Sequence, residues 1–354
     1  MWQTSPNDSP NRNLASKRHR LYIESAFVQD RCGSRSAGLS HRIDHFIYPS
    51  SNMTLFLAII FLLLLFLFSA TCVILVMGPM ILLQPHRRRK EWYSRFTTIL
   101  EPSVAGLPQE DVIVKTPDGI NLSCWLIRQP KKARGTIIYL HGVADCKIGG
   151  VALARFFFSQ GYHVFLYDSR RHGESGGNFC TYGFFEKHDV STVIDYLQQR
   201  TDLTPGKIGL FGTSMGAAVA IQAAAIDVRI AAVAAEASFT TLRSVTVDYQ
   251  RRLIRLPWHF LRNVALARSQ KVAGFKARQV SPLDDVAKIR CPILFIHGAQ
   301  DTFIEARHSR ELFDAAHPPK DLFIIEGANH NDVWDVGAKR YEQSLSSFYQ
   351  ANLK

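Results

Sequence analysis

A serine between two glycines, Gly212-Thr213-Ser214-Met215-Gly216, is the first place where this sequence suggests chemistry. A seryl hydroxyl is a poor nucleophile at neutral pH. It needs a base beside it and fixed donors to receive the charge that its attack creates. The flanking residues suit that need. Ile208-Gly209-Leu210-Phe211 leads in as a buried strand, and Ala217-Ala218-Val219-Ala220 leads out as a helix of small residues. A sharp strand-to-helix turn would hold Ser214 at its tip. Glycine on both sides lets neighbouring backbone approach, and the helix N-terminus offers N–H groups and a positive dipole to an oxyanion.

A base and an acid are available downstream. His330 sits in the polar turn Gly327-Ala328-Asn329-His330-Asn331-Asp332, after the last strand-like run. A neutral imidazole can take a seryl proton and return it to a leaving group. Among 13 histidines, His330 is set apart because it follows both other candidates; His163 in a strand run and His308 on a helix read as structural or surface residues. Asp301 follows the apolar run ending Ile296-His297-Gly298 and would hold the imidazole tautomer. Glu236, directly after another strand run, is its rival, with a helix cap or a pairing with Arg as its plainer role. The order Ser, Asp, His favours Asp301. The oxyanion would be met by the N–H of Met215 and by that of Val143, in His141-Gly142-Val143-Ala144-Asp145-Cys146. His141 itself reads as structural. The charges of Asp168-Ser169-Arg170-Arg171-His172-Gly173-Glu174-Ser175 read as braces for the same face.

These residues need a scaffold of alternating strands and helices. Asp111–Lys115 and Gly119–Ile127 flank Thr116-Pro117-Asp118-Gly119, a hairpin pattern. Buried-type runs follow at Thr136–Leu140, His163–Tyr167, Lys207–Phe211, Ile230–Ala235, Pro292–Ile296 and Asp321–Ile325. Helical patterns lie between or after them at Gly150–Gln160, Glu186–Arg200, Ser214–Ala225, Arg307–Ala316 and Gly337–Ala351. That alternation implies an α/β fold with a largely parallel sheet and helices on both faces. Thr240–Asp285 interrupts it and is too long for a loop. From Arg243 to Arg278 it carries nine Lys/Arg against Asp248 alone, interleaved with Leu253, Ile254, Leu256, Trp258, Phe260, Leu261 and Val264. It reads as a helical insertion at about 240–285, either a cap over the site or a solvated helix pair.

From about 110 to 350 the chain resembles an α/β-hydrolase. It is similar to the membrane-anchored esterase, lysophospholipase and monoacylglycerol-lipase-like group that includes serine aminopeptidases. The carrying residues are His141-Gly142, Asp168 with Arg171-His172-Gly173-Glu174-Ser175, the Gly212–Gly216 turn, Phe295-Ile296-His297-Gly298 with Asp301, and Asn329-His330. The resemblance implies an eight-stranded, mostly parallel sheet and an acyl-enzyme mechanism without cofactor or metal. Ala217 and Ala218 depart from it, since many members carry a further glycine there. The fold leaves the substrate open.

Charge and hydropathy describe the rest of the chain. The 354 residues carry a formal charge of +12. Residues 53–83 have none, whereas 84–100 hold five basic residues and one acidic. Met53–Leu83 is apolar over enough length to cross a bilayer as a helix. Arg87, Arg88, Arg89, Lys90 and Arg95 follow it, so the positive-inside rule puts residues 84–354 in the cytoplasm. The expected organisation is a disordered tail at 1–52, a single-pass anchor at 53–83, a basic juxtamembrane linker at 84–107 and the α/β domain at 108–354. Met53 directly precedes the apolar run, so the tail is alternatively upstream of the true start. Six scattered cysteines give no CxxC pair and no disulfide framework. No nucleic-acid-binding signature is present, and no obligate protein partner is evident. The expected substrate is a small-molecule or lipid carboxylic ester. A serine peptidase or thioesterase with the same three residues stays open, although no acidic cluster for a peptide amino terminus is evident. A non-catalytic binding protein would require a missing member of the set.

Overall fold

The computed structural model describes residues 51–253 and 259–354. Eight strands form one sheet: β1 (Glu110–Lys115), β2 (Asn121–Ile127), β3 (Thr136–Leu140), β4 (His163–Tyr167), β5 (Ile208–Thr213), β6 (Ile230–Glu236), β7 (Ile293–Gly298) and β8 (Lys320–Ile325). Their spatial order is β1-β2-β4-β3-β5-β6-β7-β8. The β1–β2 hairpin is antiparallel and β2 also runs antiparallel to β4; every pairing from β4 to β8 is parallel. Thr116, Asp118 and Gly119 close the hairpin, with the Gly119 N–H on the Thr116 carbonyl at 2.9 Å.

The central strands read as continuous apolar runs because both faces of the sheet are covered. Successive side chains of β3 and β4 alternate between two cores. Ile138, Leu140, Phe165 and Tyr167 pack on one side, and Ile137, Tyr139, Val164 and Leu166 on the other. The first core is completed by α4 (Glu186–Gln199), α5 (Met215–Ala224) and α9 (Arg307–Ala315). The second is completed by α3 (Val151–Ser159) and α10 (Val333–Asn352). Nine of the ten residues of α5 are buried. Small side chains let it lie close against the sheet and its neighbouring helices, which accounts for Ala217 and Ala218.

Helix α10 starts four residues before its expected first residue. Ala338 breaks it with φ 44° and ψ −128°, so the expected Gly337–Ala351 spans the break and most of the longer second part. Strand β5 runs two residues beyond the expected Phe211, through Gly212 and Thr213, and so delivers the chain directly to Ser214.

The insertion is helical, with α6 (Leu242–Leu253), α7 (His259–Ala273) and α8 (Pro282–Val286). Leu242, Val245 and Leu266 seat it in a third apolar cluster, while Phe260 stands 75% exposed. The expected contributions of Ile254, Arg255, Leu256, Trp258 and the Leu253 side chain lie outside the described residues. Asp248 pins α6 to α9: its carboxylate accepts from His308 Nε2 at 2.7 Å and from Arg307 at 2.9 Å.

The apolar segment forms helix α1 (Ser51–Leu83), so helix begins two residues before the expected Met53. It is long and apolar enough to cross a membrane. Residues 1–50 of the expected tail lie outside the described residues. The stretch 84–107, expected as a linker, carries helix α2 (Lys90–Tyr93) and is fastened to the sheet domain. Arg87 donates to the Gly177 carbonyl at 3.1 Å, the Tyr93 hydroxyl donates to Asp145, and Leu107 is buried in the second core.

Candidate active site

The Gly212–Gly216 turn has the shape its glycines require. Ser214 adopts φ 53° and ψ −115°, a strained conformation that costs about 1–3 kcal/mol and persists only when its surroundings over-determine it. A Cβ on Gly212 would meet the Gly216 carbonyl oxygen at 2.3 Å, and one on Gly216 would meet the Leu140 oxygen at 2.0 Å. The Ser214 N–H donates to the Glu236 carbonyl at 2.8 Å, tying the turn to the end of β6.

The three expected side chains meet although they come from loops far apart in sequence. The Ser214 hydroxyl lies 3.1 Å from His330 Nε2, and His330 Nδ1 lies 2.6 Å from Asp301 Oδ2. The Asp301 loop follows β7 and the His330 loop follows β8. Backbone bonds from Ala299 to Ile325 (2.9 Å) and from Gln300 to Ala328 (2.8 Å) lace the two loops together. Gly298 permits this approach, since a Cβ there would sit 2.5 Å from the Ala328 oxygen.

Asp301 is buried, and burial alone raises a carboxyl pKa. Hydrogen bonds from His297 and His330 outweigh it and hold the group below the usual carboxylate range. Its Oδ1 accepts the N–H groups of Phe303 (2.8 Å) and Ile304 (2.9 Å), which fixes the carboxylate plane. Glu236, the rival acid, does not bond His330. Its carboxylate accepts the Tyr341 hydroxyl at 2.5 Å, and burial pushes its pKa up. Among the described residues, neither the cap nor the Arg pairing expected for it is found.

Of the two expected oxyanion donors, Met215 directly follows Ser214, and Val143 follows Gly142, which lies against the serine. Met215 N–H opens α5, where no preceding helical turn can take it. The Val143 N–H is aimed by a residue whose part the sequence did not reveal. His141 Nε2 accepts the Ser169 N–H at 2.9 Å, so its proton is on Nδ1, which donates to the Gly142 carbonyl at 2.7 Å. In a trans peptide the carbonyl and the following N–H point opposite ways. The bond therefore turns the Val143 N–H away from His141. Gly142 itself lies against the serine, with a built Cβ 3.4 Å from the Ser214 Cβ.

Other side chains brace this face. Asp168 accepts the Lys147 backbone N–H and its ammonium, both at 2.7 Å, and the Glu174 N–H at 2.8 Å. His163 is buried and its Nδ1 accepts the Gln129 N–H at 3.0 Å; His308 is buried against Asp248. His297, which the sequence marks only as part of a motif, reaches Asp301 Oδ2 at 3.2 Å. Its i, i+4 spacing from Asp301 is the available signal. A serine, an imidazole and a carboxylate in this order can pass a proton from the hydroxyl to the ring while the carboxylate stabilises the imidazolium.

Comparison with known proteins agrees with this architecture. Residues 131–279 match the family model described as serine aminopeptidase, S33. The protein YqkD of Bacillus subtilis is 33% identical over 221 residues, covering 62% of this chain and 72% of that protein. This chain belongs to the α/β-hydrolase family. The hydrolase is also 26% identical over 258 residues to the α/β-hydrolase domain-containing protein WAV2 of Arabidopsis thaliana, covering 71% of this chain and 82% of the relative. Among solved structures, the Pyrococcus furiosus esterase Pf2001 superposes with a TM-score of 0.63 at 22% identity, over 76% of the hydrolase and all of the esterase chain. At that identity the likeness speaks for the fold.

Proposed function

We propose that this α/β-hydrolase is a membrane-anchored serine hydrolase of carboxylic esters. The observation that carries the proposal is the hydrogen-bonded series Ser214–His330–Asp301, at 3.1 and 2.6 Å, on a strained turn. In this reading Ser214 Oγ attacks the ester carbonyl while His330 Nε2 takes its proton. The N–H groups of Val143 and Met215 receive the oxyanion. Collapse of the tetrahedral intermediate expels the alcohol, which leaves with the proton from His330. Water, deprotonated by the same nitrogen, then attacks the acyl-enzyme and releases the acid and free Ser214.

An ester is favoured over a peptide with a free amino terminus by the charges around the serine. Recognition of an ammonium needs a carboxylate, and the two carboxylates of the relay and of the strand end bonded to the turn are committed, Asp301 to His330 and Glu236 to Tyr341. Helix α1 serves as the anchor in this reading, and the basic residues 87–90 support a cytoplasmic catalytic domain. Digestion of the domain from the outer face of sealed cells would refute that orientation. The chemistry is tested with a fluorophosphonate probe, which should label Ser214 alone, and with Ser214→Ala, which should abolish hydrolysis of a short soluble ester. Wild-type hydrolysis by Ser214→Ala would overturn the proposal.

A further inference from the structure

A cation from the insertion sits over the two loops that carry Asp301 and His330. The Arg252 guanidinium carbon lies 3.4 Å from the centre of the Phe303 ring, and its Nη1 donates to Thr302 Oγ1 at 2.8 Å. Thr302 and Phe303 directly follow Asp301. Thr302 is bonded in turn to Asn329 Oδ1, through its N–H at 3.2 Å, and the same oxygen accepts the His330 N–H at 2.8 Å. The Phe303 ring packs against the His330 ring with centres 5.5 Å apart. Arg252 is thus one ring away from the imidazole that faces Ser214.

The placement is unusual for a positive charge. It lies one ring away from the proposed base, and among the described residues no carboxylate pairs with it. Guanidinium carries five N–H donors, and one is used here. The side chain is exposed, so the others remain available to an incoming group. The stacking on Phe303 and the bond to Thr302 hold the planar fork in one orientation, which reduces the entropy lost on binding a ligand. The local field has the same sign. Burial and the nearby charges of Arg243 and Arg251 push the Arg262 guanidinium down, and Arg243, Arg251 and Arg252 are all exposed. A planar fork one ring away from the imidazole that faces Ser214 matches the geometry of phosphate and carboxylate oxygens.

We infer that Arg252 is a specificity-determining residue that binds an anionic oxo-group, phosphate or carboxylate, carried by the ester substrate close to its scissile carbonyl. The inference rests on the serine-hydrolase reading and adds the substrate class. A free anionic ester and an anionic lipid share this chemistry.

The test compares the full-length protein with Arg252→Gln and Arg252→Lys on matched pairs of esters. The soluble pairs are nitrophenyl hemisuccinate against nitrophenyl butyrate, and butyrylglycerol phosphate against butyrylglycerol, which put the anion on the acyl and the alcohol side respectively. The lipid pair is a long-chain acylglycerol phosphate against the acylglycerol, in neutral phosphatidylcholine vesicles. In at least one soluble pair, Arg252→Gln should cost the anionic ester about 10- to 100-fold more in kcat/KM than its neutral partner, mainly through KM. Arg252→Lys should recover part of that loss, since it restores the charge without the fork. Parallel losses within both soluble pairs, or no loss, would overturn the assignment; the former would mean that Arg252 only supports Phe303. A differential confined to vesicles would also overturn it, because the arginine would then be reading the membrane surface. Ser214→Ala separates the two levels. Its retained activity on the neutral esters would sink the serine-hydrolase reading itself, whereas its inactivity beside an unmoved ratio would sink the role of Arg252 alone.

Discussion

Replacing Asp301 with Asn tests the proposed relay, and the structure dictates how the amide must sit. Oδ1 of Asp301 accepts two backbone N–H groups, from Phe303 and Ile304, at 2.8 and 2.9 Å. In the Asp301→Asn variant the amide oxygen is expected at that position, because the two backbone N–H donors there are fixed whereas the His330 ring can move its proton. The NH2 then takes the place of Oδ2, which now meets His330 Nδ1 at 2.6 Å and His297 Nε2 at 3.2 Å. A donor at that point makes His330 Nδ1 an acceptor, so the ring proton moves to Nε2. That nitrogen then points an N–H at Ser214 and cannot take its proton. The expected loss is about 10⁴-fold in kcat, near 5.5 kcal/mol at about 1.4 kcal/mol per tenfold. The substitution also removes a carboxylate whose folded-state pKa is depressed. Its stabilisation is whole above the unfolded value and drains as pH falls through the folded one, so the variant should also melt lower at neutral pH. The assay is kcat on a short soluble ester, with circular dichroism to verify folding. Glu236→Gln keeps an acceptor for Tyr341 and should cost far less. A folded Asp301→Asn within tenfold of wild type, or a folded Glu236→Gln more damaged than it, would refute the relay.

Two further outcomes follow from neighbouring histidines. His141→Phe frees the Gly142 carbonyl and with it the Val143 N–H; kcat should fall about 10²–10³-fold with a smaller change in KM, as for loss of one oxyanion donor. A change carried by KM alone, with kcat intact, would show that the bond to Gly142 does not orient the donor. His172 is buried, which with the nearby His141 pushes its pKa down to about 3. The unfolded chain therefore takes up the proton first: the stability tied to His172 is whole above about pH 6.5 and drains toward pH 3. From pH 7.5 to pH 5 wild type should lose about 2 kcal/mol more unfolding free energy than His172→Phe in urea titrations. Parallel pH profiles would contradict the burial argument.

The legible part of this molecule is what local pattern decides. The runs Thr136–Leu140 and His163–Tyr167 coincide with β3 and β4, because a strand covered on both faces is continuously apolar and stops where turn residues begin. Ser214, Asp301 and His330 are identifiable because each follows the C-terminal end of a strand, where an open parallel sheet gathers its loops. What the pattern leaves open is partnership across long separations. Tyr341 meets Glu236 from 105 positions away. The Arg252 contact with Phe303 depends on how an insertion folds back, which no periodicity encodes. His141 reads as structural for a sound reason, as a buried imidazole with two backbone partners; its effect on the neighbouring N–H follows from peptide geometry and emerges only once the acceptor is known.

The segment after α1 departs from its expected role as a linker for a related reason. A run of arginines reads as solvated from composition, but the last carbonyls of a helix need donors wherever water is displaced. Here the domain supplies them. The Leu82 carbonyl accepts the Tyr182 hydroxyl and the Leu83 carbonyl accepts the Cys180 N–H, each at 2.8 Å, while the Leu83 side chain is buried in the third cluster. Gly78 permits a close approach to α7, since a Cβ there would lie 2.8 Å from the Ala265 Cβ. The same contacts lead toward the site. The Cys180 thiol donates to the Met215 sulfur at 3.4 Å, and Tyr93 bonds Asp145, two residues after Val143. The end of α1 and the segment after it therefore reach the neighbourhood of both expected oxyanion donors, through the Met215 side chain and through Asp145. A cut after residue 83 would remove a buried leucine and two carbonyl acceptors, so α1 and the domain are not independent modules.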